Sequence, residues 1–254
     1  MLLHINYDID SKFIEMDSSD WRKLLNDDKN FDQKVPYNLQ LIEDKLSFAE
    51  IDLDNLNPYY VLSPIYDFTK FFAKISSGLS MGFKDITEKV NLMRKILQQH
   101  PEIETIQQLV EKEMKLDIHK LNGENNAKKG HSKGEYKHYT SGTRTFLRLL
   151  WFMEFLIHIF RKFEKVEKKS MKDLLKDAYN EVLAPRHKWI VRQAVGMALA
   201  FSGSSKREAL KIIFGYEDFT DEAKAKIKEV ADKLETVWKA GNDFYAQNQI
   251  LKLP

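Results

Sequence analysis

The stretch SGTRTFLRLLWFMEFLIHIF, residues 141–160, decides the fold class of this chain. Its apolar residues recur with the 3.6-residue period of a helix. The run from Phe146 to Phe160 is interrupted by Arg148, Glu154 and His158. A membrane-spanning helix needs about 20 largely apolar residues, so a buried core helix is expected here. The same period recurs at about 37–50, 59–77, 80–99, 102–118, 143–165, 169–183, 186–201, 205–214 and 220–248, while period-2 alternation is nearly absent. An all-α fold of about eight to nine helices follows.

Several boundaries have a local cause. Pro101 disfavours the α region at the residue before it and ends the preceding helix. Pro185 separates the helices on either side of it, and Ser-Gly-Ser-Ser at 202–205 breaks and restarts the chain. Asp221 and Glu222 favour a helix start after Phe219. Residues 1–35 are polar and acid-rich, and read as an extension with one short helix near Trp21; residues 36–254 form the folded domain. The segment 119–140 is rich in Gly, Lys, Asn and His and reads as a surface loop, with His131 and His138 as solvated side chains.

Hydrophobic residues make up 43% and charged residues 31% of the 254, a globular balance. The net charge of +2 argues against binding nucleic acid by bulk charge. The absence of cysteine excludes disulfides, thiolate catalysis and Cys-based zinc sites, and fits a reducing compartment. The start, MLLHINYDID, lacks a basic region and a long apolar region, so no secretory signal is expected. No nucleophile motif, metal-protease motif or phosphate loop occurs, so neither a catalytic residue nor a metal or cofactor is expected.

Three sets of polar residues stand out. Arg144 and Arg148 share a helix face, where like charges repel, and the first lies near a helix N-terminus, which favours anions. Two readings remain open: an anion between the guanidiniums and the helix start, or arginines with internal carboxylate partners. Asp85 and Lys89, four apart, are either a surface ion pair or a half-buried pair at the edge of the stripe Phe83, Ile86, Val90, Met93, Ile96. His187 precedes Trp189 in APRHKWIVRQA; it is either a helix-start histidine or a ligand contact.

Taken in order, Asp85-x-x-x-Lys89, Ser-Gly-Thr-Arg144-Thr-Phe-Leu-Arg148-Leu and His187-x-Trp189-x-Val-Arg-Gln-Ala resemble the glycolipid transfer protein superfamily, more closely its ceramide-1-phosphate branch. The resemblance covers roughly residues 50–250 and implies a two-layer all-α sandwich around a lipid-chain pocket. It implies a non-enzymatic carrier or sensor of a phosphorylated sphingolipid, cytoplasmic and in transient contact with membranes; a monomer is expected, because a lipid mouth needs free access to the bilayer. By the same resemblance, Lys89, Arg144 and Arg148 grip the phosphate, Asp85 accepts from the sphingoid amide and hydroxyl, and His187 donates to the acyl carbonyl. Trp189 would lie near the membrane-facing mouth. The sugar-binding branch has a tryptophan where Arg144 stands, so glycolipid transfer is the alternative, and a helical adaptor without lipid is another. Phe146, Leu147, Leu150, Val191 and Val195 are candidates for the chain sleeve, by their position beside the polar residues.

Charge and solubility support the phosphate branch. Three cations and one carboxylate give the expected site +2, which a phosphomonoester of about −1.5 to −2 nearly neutralises. Exposing two chains of roughly 30 methylenes to water costs on the order of 20 kcal/mol, so unassisted desorption is slow.

Overall fold

Asn38, Thr105, Ser170, Ser205 and Thr220 each end a loop and start a helix, because their side-chain oxygens accept from main-chain N–H groups two or three residues into the helix. Ser205 and Glu208 form a reciprocal capping box: Glu208 N–H donates to Ser205 Oγ at 3.1 Å and Ser205 N–H to Glu208 Oε2 at 2.7 Å. The computed structural model describes residues 20–75, 77–123, 136–165, 170–200, 205–214 and 219–254. Ten α-helices lie among the described residues: α1 (Trp21–Asn26), α2 (Leu39–Ala49), α3 (Pro58–Ile75), α4 (Ser77–Gln99), α5 (Ile106–Lys115), α6 (Gly142–Lys165), α7 (Met171–Ala178), α8 (Trp189–Ala200), α9 (Lys206–Phe214) and α10 (Asp221–Gln247). A π turn over Tyr179–Leu183 and a 3-10 turn over Ala184–Arg186 join α7 to α8. Each segment expected from the 3.6 period contains a helix, and α4 ends two residues before Pro101. The segment expected as helix from 186 starts only at Trp189, because His187 is extended (φ −100°, ψ 140°).

The helices form a two-layer sandwich. α3 pairs with α4 and α6 with α10; α4 crosses α6, and α2 spans α3 and α10, so both pairs close on one core. The α6–α10 seam is tight at Gly241, where a Cβ would stand 2.8 Å from Leu150 Cδ2. Phe146, Leu147 and Leu150 are fully buried; Phe146 lies against Tyr245 of α10, and Leu150 against Gly241. α3 is buried over nearly its whole length and carries Asp67, whose carboxylate holds both Lys45 (2.7 Å) and Lys70 (2.9 Å). No helix among the described residues is long and apolar enough to cross a membrane.

The segment expected as an extension, residues 1–35, is packed on the core where it is described. Trp21, Leu25 and Phe31 are buried, and Arg94 of α4 donates to the Leu25 carbonyl (2.9 Å) while its guanidinium lies 3.9 Å from the Phe31 ring centre. The acidic composition masked these three apolar anchors; residues 1–19 lie outside the described residues. An antiparallel bridge, Asn122 to Thr140, closes the base of the 119–140 segment. His138 there is exposed, and His131 lies outside the described residues.

Candidate functional site

The site starts from a carboxylate on α5. Glu113, 2% exposed, accepts from the Gly142 N–H (2.7 Å), the Thr143 N–H (2.9 Å), the Ser141 hydroxyl (2.5 Å) and the Tyr139 hydroxyl (2.6 Å). It therefore supplies the negative charge that the N-terminus of α6 favours. This corrects one of the expectations for the arginine pair: the anion at the helix start is internal, so a ligand would meet the guanidiniums rather than the helix N–H groups. Close packing makes this cap possible, since a Cβ at position 142 would stand 2.8 Å from Leu109 Cδ2 and 3.2 Å from Glu113 Oε1.

Arg144 and Arg148 project from the next turns of α6. Neither has a side-chain carboxylate within ion-pair distance among the described residues. Their acceptors are main-chain oxygens: Arg148 Nη2 donates to Leu253 (3.1 Å) and Pro254 (2.8 Å), and Arg144 Nε donates to Pro254. Arg148 also lies 4.2 Å over the Trp151 ring. Burial, and then the charge of Arg144, push the Arg148 guanidinium down to about 10. Burial also lowers Arg144, against the opposing pull of Asp85. Both remain cations at neutral pH.

On α4, Lys89 Nζ meets Asp85 Oδ1 at 2.5 Å; the lysine side chain is 22% exposed and the aspartate 67%. The pair thus sits at a rim, with the carboxylate outward. The π turn after α7 brings Tyr179 beside His187, with 3.1 Å between the Tyr179 hydroxyl and His187 Nδ1. Such turns recur at functional sites. Burial lowers the His187 pKa below 6.5; Asp85 opposes this, while Lys89, Arg148 and Arg186 add to it.

All five expected polar residues line one cleft of about 470 Å³ between α4, α6 and the α7–α8 connection. Its opposite end is apolar, built by Phe83, Phe152, Phe155, Leu175 and Val195. Phe83 lies 5.5 Å from Phe152 and 6.3 Å from Phe155 between ring centres. Of the expected chain contacts, Val191 and Val195 line the cleft, whereas Phe146, Leu147 and Leu150 do not. Trp189 lies outside the cleft and is 66% exposed at the start of α8. Two cations absent from the expected set, Arg186 and Lys188, line it as well, so five cations face one carboxylate. Arg186 is already paired with Glu154 at 2.7 Å.

Helical geometry explains the difference on α6. Residues 148, 151 and 155 share a face with 144, because each lies close to a whole number of 3.6-residue turns from it, and 152 lies one turn beyond 148. Positions 146 and 150 point to the far side. The missed residues Trp151, Phe152 and Phe155 were therefore findable from the arginine spacing; Tyr179, in the π turn, and Arg186, in the 3-10 turn after it, carried no such signal.

Residues 61–212 match the glycolipid transfer protein family. A ceramide-1-phosphate transfer protein of Danio rerio is 29% identical over 200 residues, covering 77% of this chain and 87% of that protein. The crystal structure of the mouse ceramide-1-phosphate transfer protein in its apo form matches with a TM-score of 0.71 at 23% identity, over 86% of this chain and 100% of that one. The human ceramide-1-phosphate transfer protein in complex with 12:0 ceramide-1-phosphate matches with a TM-score of 0.72 at 20% identity, over 86% and 100%. Both structures share the helical sandwich described above. With the match spanning more than half of its length, the chain belongs to the glycolipid transfer protein family.

Proposed function

We propose that this protein is a non-enzymatic carrier or sensor of a phosphorylated sphingolipid, with ceramide-1-phosphate as its cargo. One observation carries this reading: a pair of half-buried guanidiniums and Lys89 converge at the polar end of a cleft whose other end is phenylalanine. A phosphomonoester dianion suits that cluster, because planar guanidiniums bind its oxygens in pairs. A neutral sugar would leave two partly desolvated cations without an anion, which is costly. The relatives named as ceramide-1-phosphate transfer proteins agree with this choice.

In this reading Lys89, Arg144 and Arg148 hold the phosphate, and Asp85 accepts from the amide N–H and the hydroxyl of the sphingoid base. Burial favours a neutral His187, and in the tautomer whose Nδ1 accepts from the Tyr179 hydroxyl the proton sits on Nε2, where it can donate to the acyl carbonyl. Phe83, Phe152, Phe155, Leu175, Val191 and Val195 take the chains. The lipid-binding unit spans residues 36–254, with the described part of 1–35 as a packed addition. The protein acts as a monomer in peripheral contact with membranes. Support for that contact comes from α8, where Trp189 (66% exposed), Ile190 (70%) and Met197 (63%) form an apolar surface beside Lys188.

A vesicle-to-vesicle assay with ceramide-1-phosphate, galactosylceramide and ceramide tests the proposal. Ceramide-1-phosphate should move fastest. Preferential movement of galactosylceramide would overturn the headgroup assignment, and a protein that moves none of the three would overturn the carrier reading.

A further inference from the structure

Sequence separation alone would keep Tyr179 and His187 apart. Eight residues of uninterrupted α-helix span about 12 Å along the axis. The π turn over Tyr179–Leu183, the 3-10 turn over Ala184–Arg186 and the extended backbone of His187 (φ −100°, ψ 140°) fold the chain back instead. The two ring centres come to 5.7 Å, with the Tyr179 hydroxyl 3.1 Å from His187 Nδ1. The main chain is held there as well. The His187 N–H donates to the Ala184 carbonyl (3.3 Å), and Arg186 is tied to Glu154 of α6 (2.7 Å) and to the Val182 carbonyl (3.2 Å).

A neutral imidazole carries one proton for two nitrogens, and only the form protonated at Nε2 donates from that nitrogen. Burial, reinforced by Lys89, Arg148 and Arg186 and opposed by Asp85, works against a second proton on the ring. The Tyr179 hydroxyl decides between the two neutral forms. An imidazole nitrogen is a far stronger base than a phenol oxygen, so O–H donating to Nδ1 outweighs Nδ1–H donating to the phenol. The reverse bond would also strand the hydroxyl proton. Tyr179 is 6% exposed, and its hydroxyl has no second hydrogen-bond partner among the described residues. Burial raises the Tyr179 pKa, with Arg192 opposing, so the phenol keeps its proton at neutral pH.

We propose that Tyr179 is a positioning residue for the amide group of the cargo: its hydroxyl fixes His187 as an Nε2–H donor and holds that donor in the cleft that both residues line. The proposal rests on the role given to His187 above, as the donor to the acyl carbonyl. Tyr179 acts on the lipid through the imidazole. A ring already fixed in the donating form loses less freedom when the carbonyl arrives than a ring that must first turn or exchange its proton.

Nitrogen-15 NMR of the imidazoles in the lipid-free protein reads the tautomer without any cargo, the His187 signals being assigned by their loss in His187→Gln. The parent should show a protonated Nε2 and a bare Nδ1. Tyr179→Phe keeps the bulk of the ring and should leave His187 a mixture of both forms. A parent protonated at Nδ1, or a Tyr179→Phe spectrum like that of the parent, would overturn the proposal. A double-mutant cycle then follows the binding of dodecanoyl ceramide-1-phosphate from vesicles. Tyr179→Phe should weaken it about threefold or more, the loss of one neutral hydrogen bond. The side chain introduced by His187→Gln brings an amide donor and has no tautomer to set, so Tyr179→Phe should cost nothing further in that background. Equal losses in both backgrounds would reduce Tyr179 to a wall of the cleft and overturn the proposal. Where Tyr179→Phe does not fold, the parent spectrum decides alone. A parent that shows the Nε2–H form yet ignores ceramide-1-phosphate removes the cargo reading, and the carbonyl part of the proposal with it, while the tautomer assignment stands.

Discussion

Arg144 and Arg148 stand at the positive end of α6, where cations are least favoured, and the fold compensates with Glu113. Its carboxylate takes four hydrogen bonds at the helix start and so offsets the dipole. Hydrogen bonds to a buried charge contribute about 1.5–3 kcal/mol each, though not additively. Glu113→Ala should therefore lower stability by about 3 kcal/mol or more, read from urea unfolding; a loss below about 1 kcal/mol would contradict the cap. His187 gives a pH signature. Its folded pKa is lowered, so between that value and about 6.5 the unfolded chain binds the proton more readily. The imidazole therefore withdraws stability as pH falls below about 6.5, reaching the full loss below the folded pKa. The fall in the urea midpoint between neutral and mildly acidic pH should be smaller in His187→Gln than in the parent.

Helix existence was legible in the sequence, because each amphipathic period corresponds to a helix and the starts carry capping side chains. Which face of α6 meets the cleft was legible in principle, since 144, 148, 152 and 155 form one stripe; adjacency in sequence pointed instead to Phe146, Leu147 and Leu150, which fill the α6–α10 seam. The fold-back of residues 249–254 and the π turn were not legible. Their contributions come from main-chain geometry that side-chain patterns do not encode. The buried Lys45–Asp67–Lys70 cluster linking α2 and α3 was also hidden, as its lysines lie in unremarkable helical positions. Two buried cations share one carboxylate there, and burial lowers the Lys45 pKa. Lys45→Met leaves a neutral Lys70–Asp67 pair and should change stability by no more than about 1 kcal/mol in the unfavourable direction, whereas Asp67→Asn strands both cations and should cost about 3–5 kcal/mol. Equal losses for the two variants would contradict this asymmetry. On α8, Trp189→Glu with Ile190→Glu should weaken partitioning onto vesicles at least tenfold, as followed by flotation, because exposed apolar area is what such a helix offers a bilayer. Unaltered flotation would separate α8 from membrane contact.

For the molecule as a whole, the two layers divide the work. The α6–α10 seam is tight at Gly241, while the cleft between α4, α6 and the α7–α8 connection has a charged end and an aromatic end. Five cations against one carboxylate give the cleft a larger positive excess than the four motif residues alone, even after Arg186 is paired with Glu154. A dianionic headgroup neutralises only part of it. Lys188, next to the exposed Trp189, leaves positive charge near the exposed apolar surface of α8. The central claim is that the guanidinium pair selects a phosphate. The direct measurement is the ratio of dissociation constants for ceramide and ceramide-1-phosphate, in the parent and in Arg144→Leu. The parent should favour ceramide-1-phosphate by roughly a hundredfold, corresponding to ~3 kcal/mol, and Arg144→Leu should bring that ratio close to one while ceramide binding holds. A ratio that Arg144→Leu leaves intact would contradict the account.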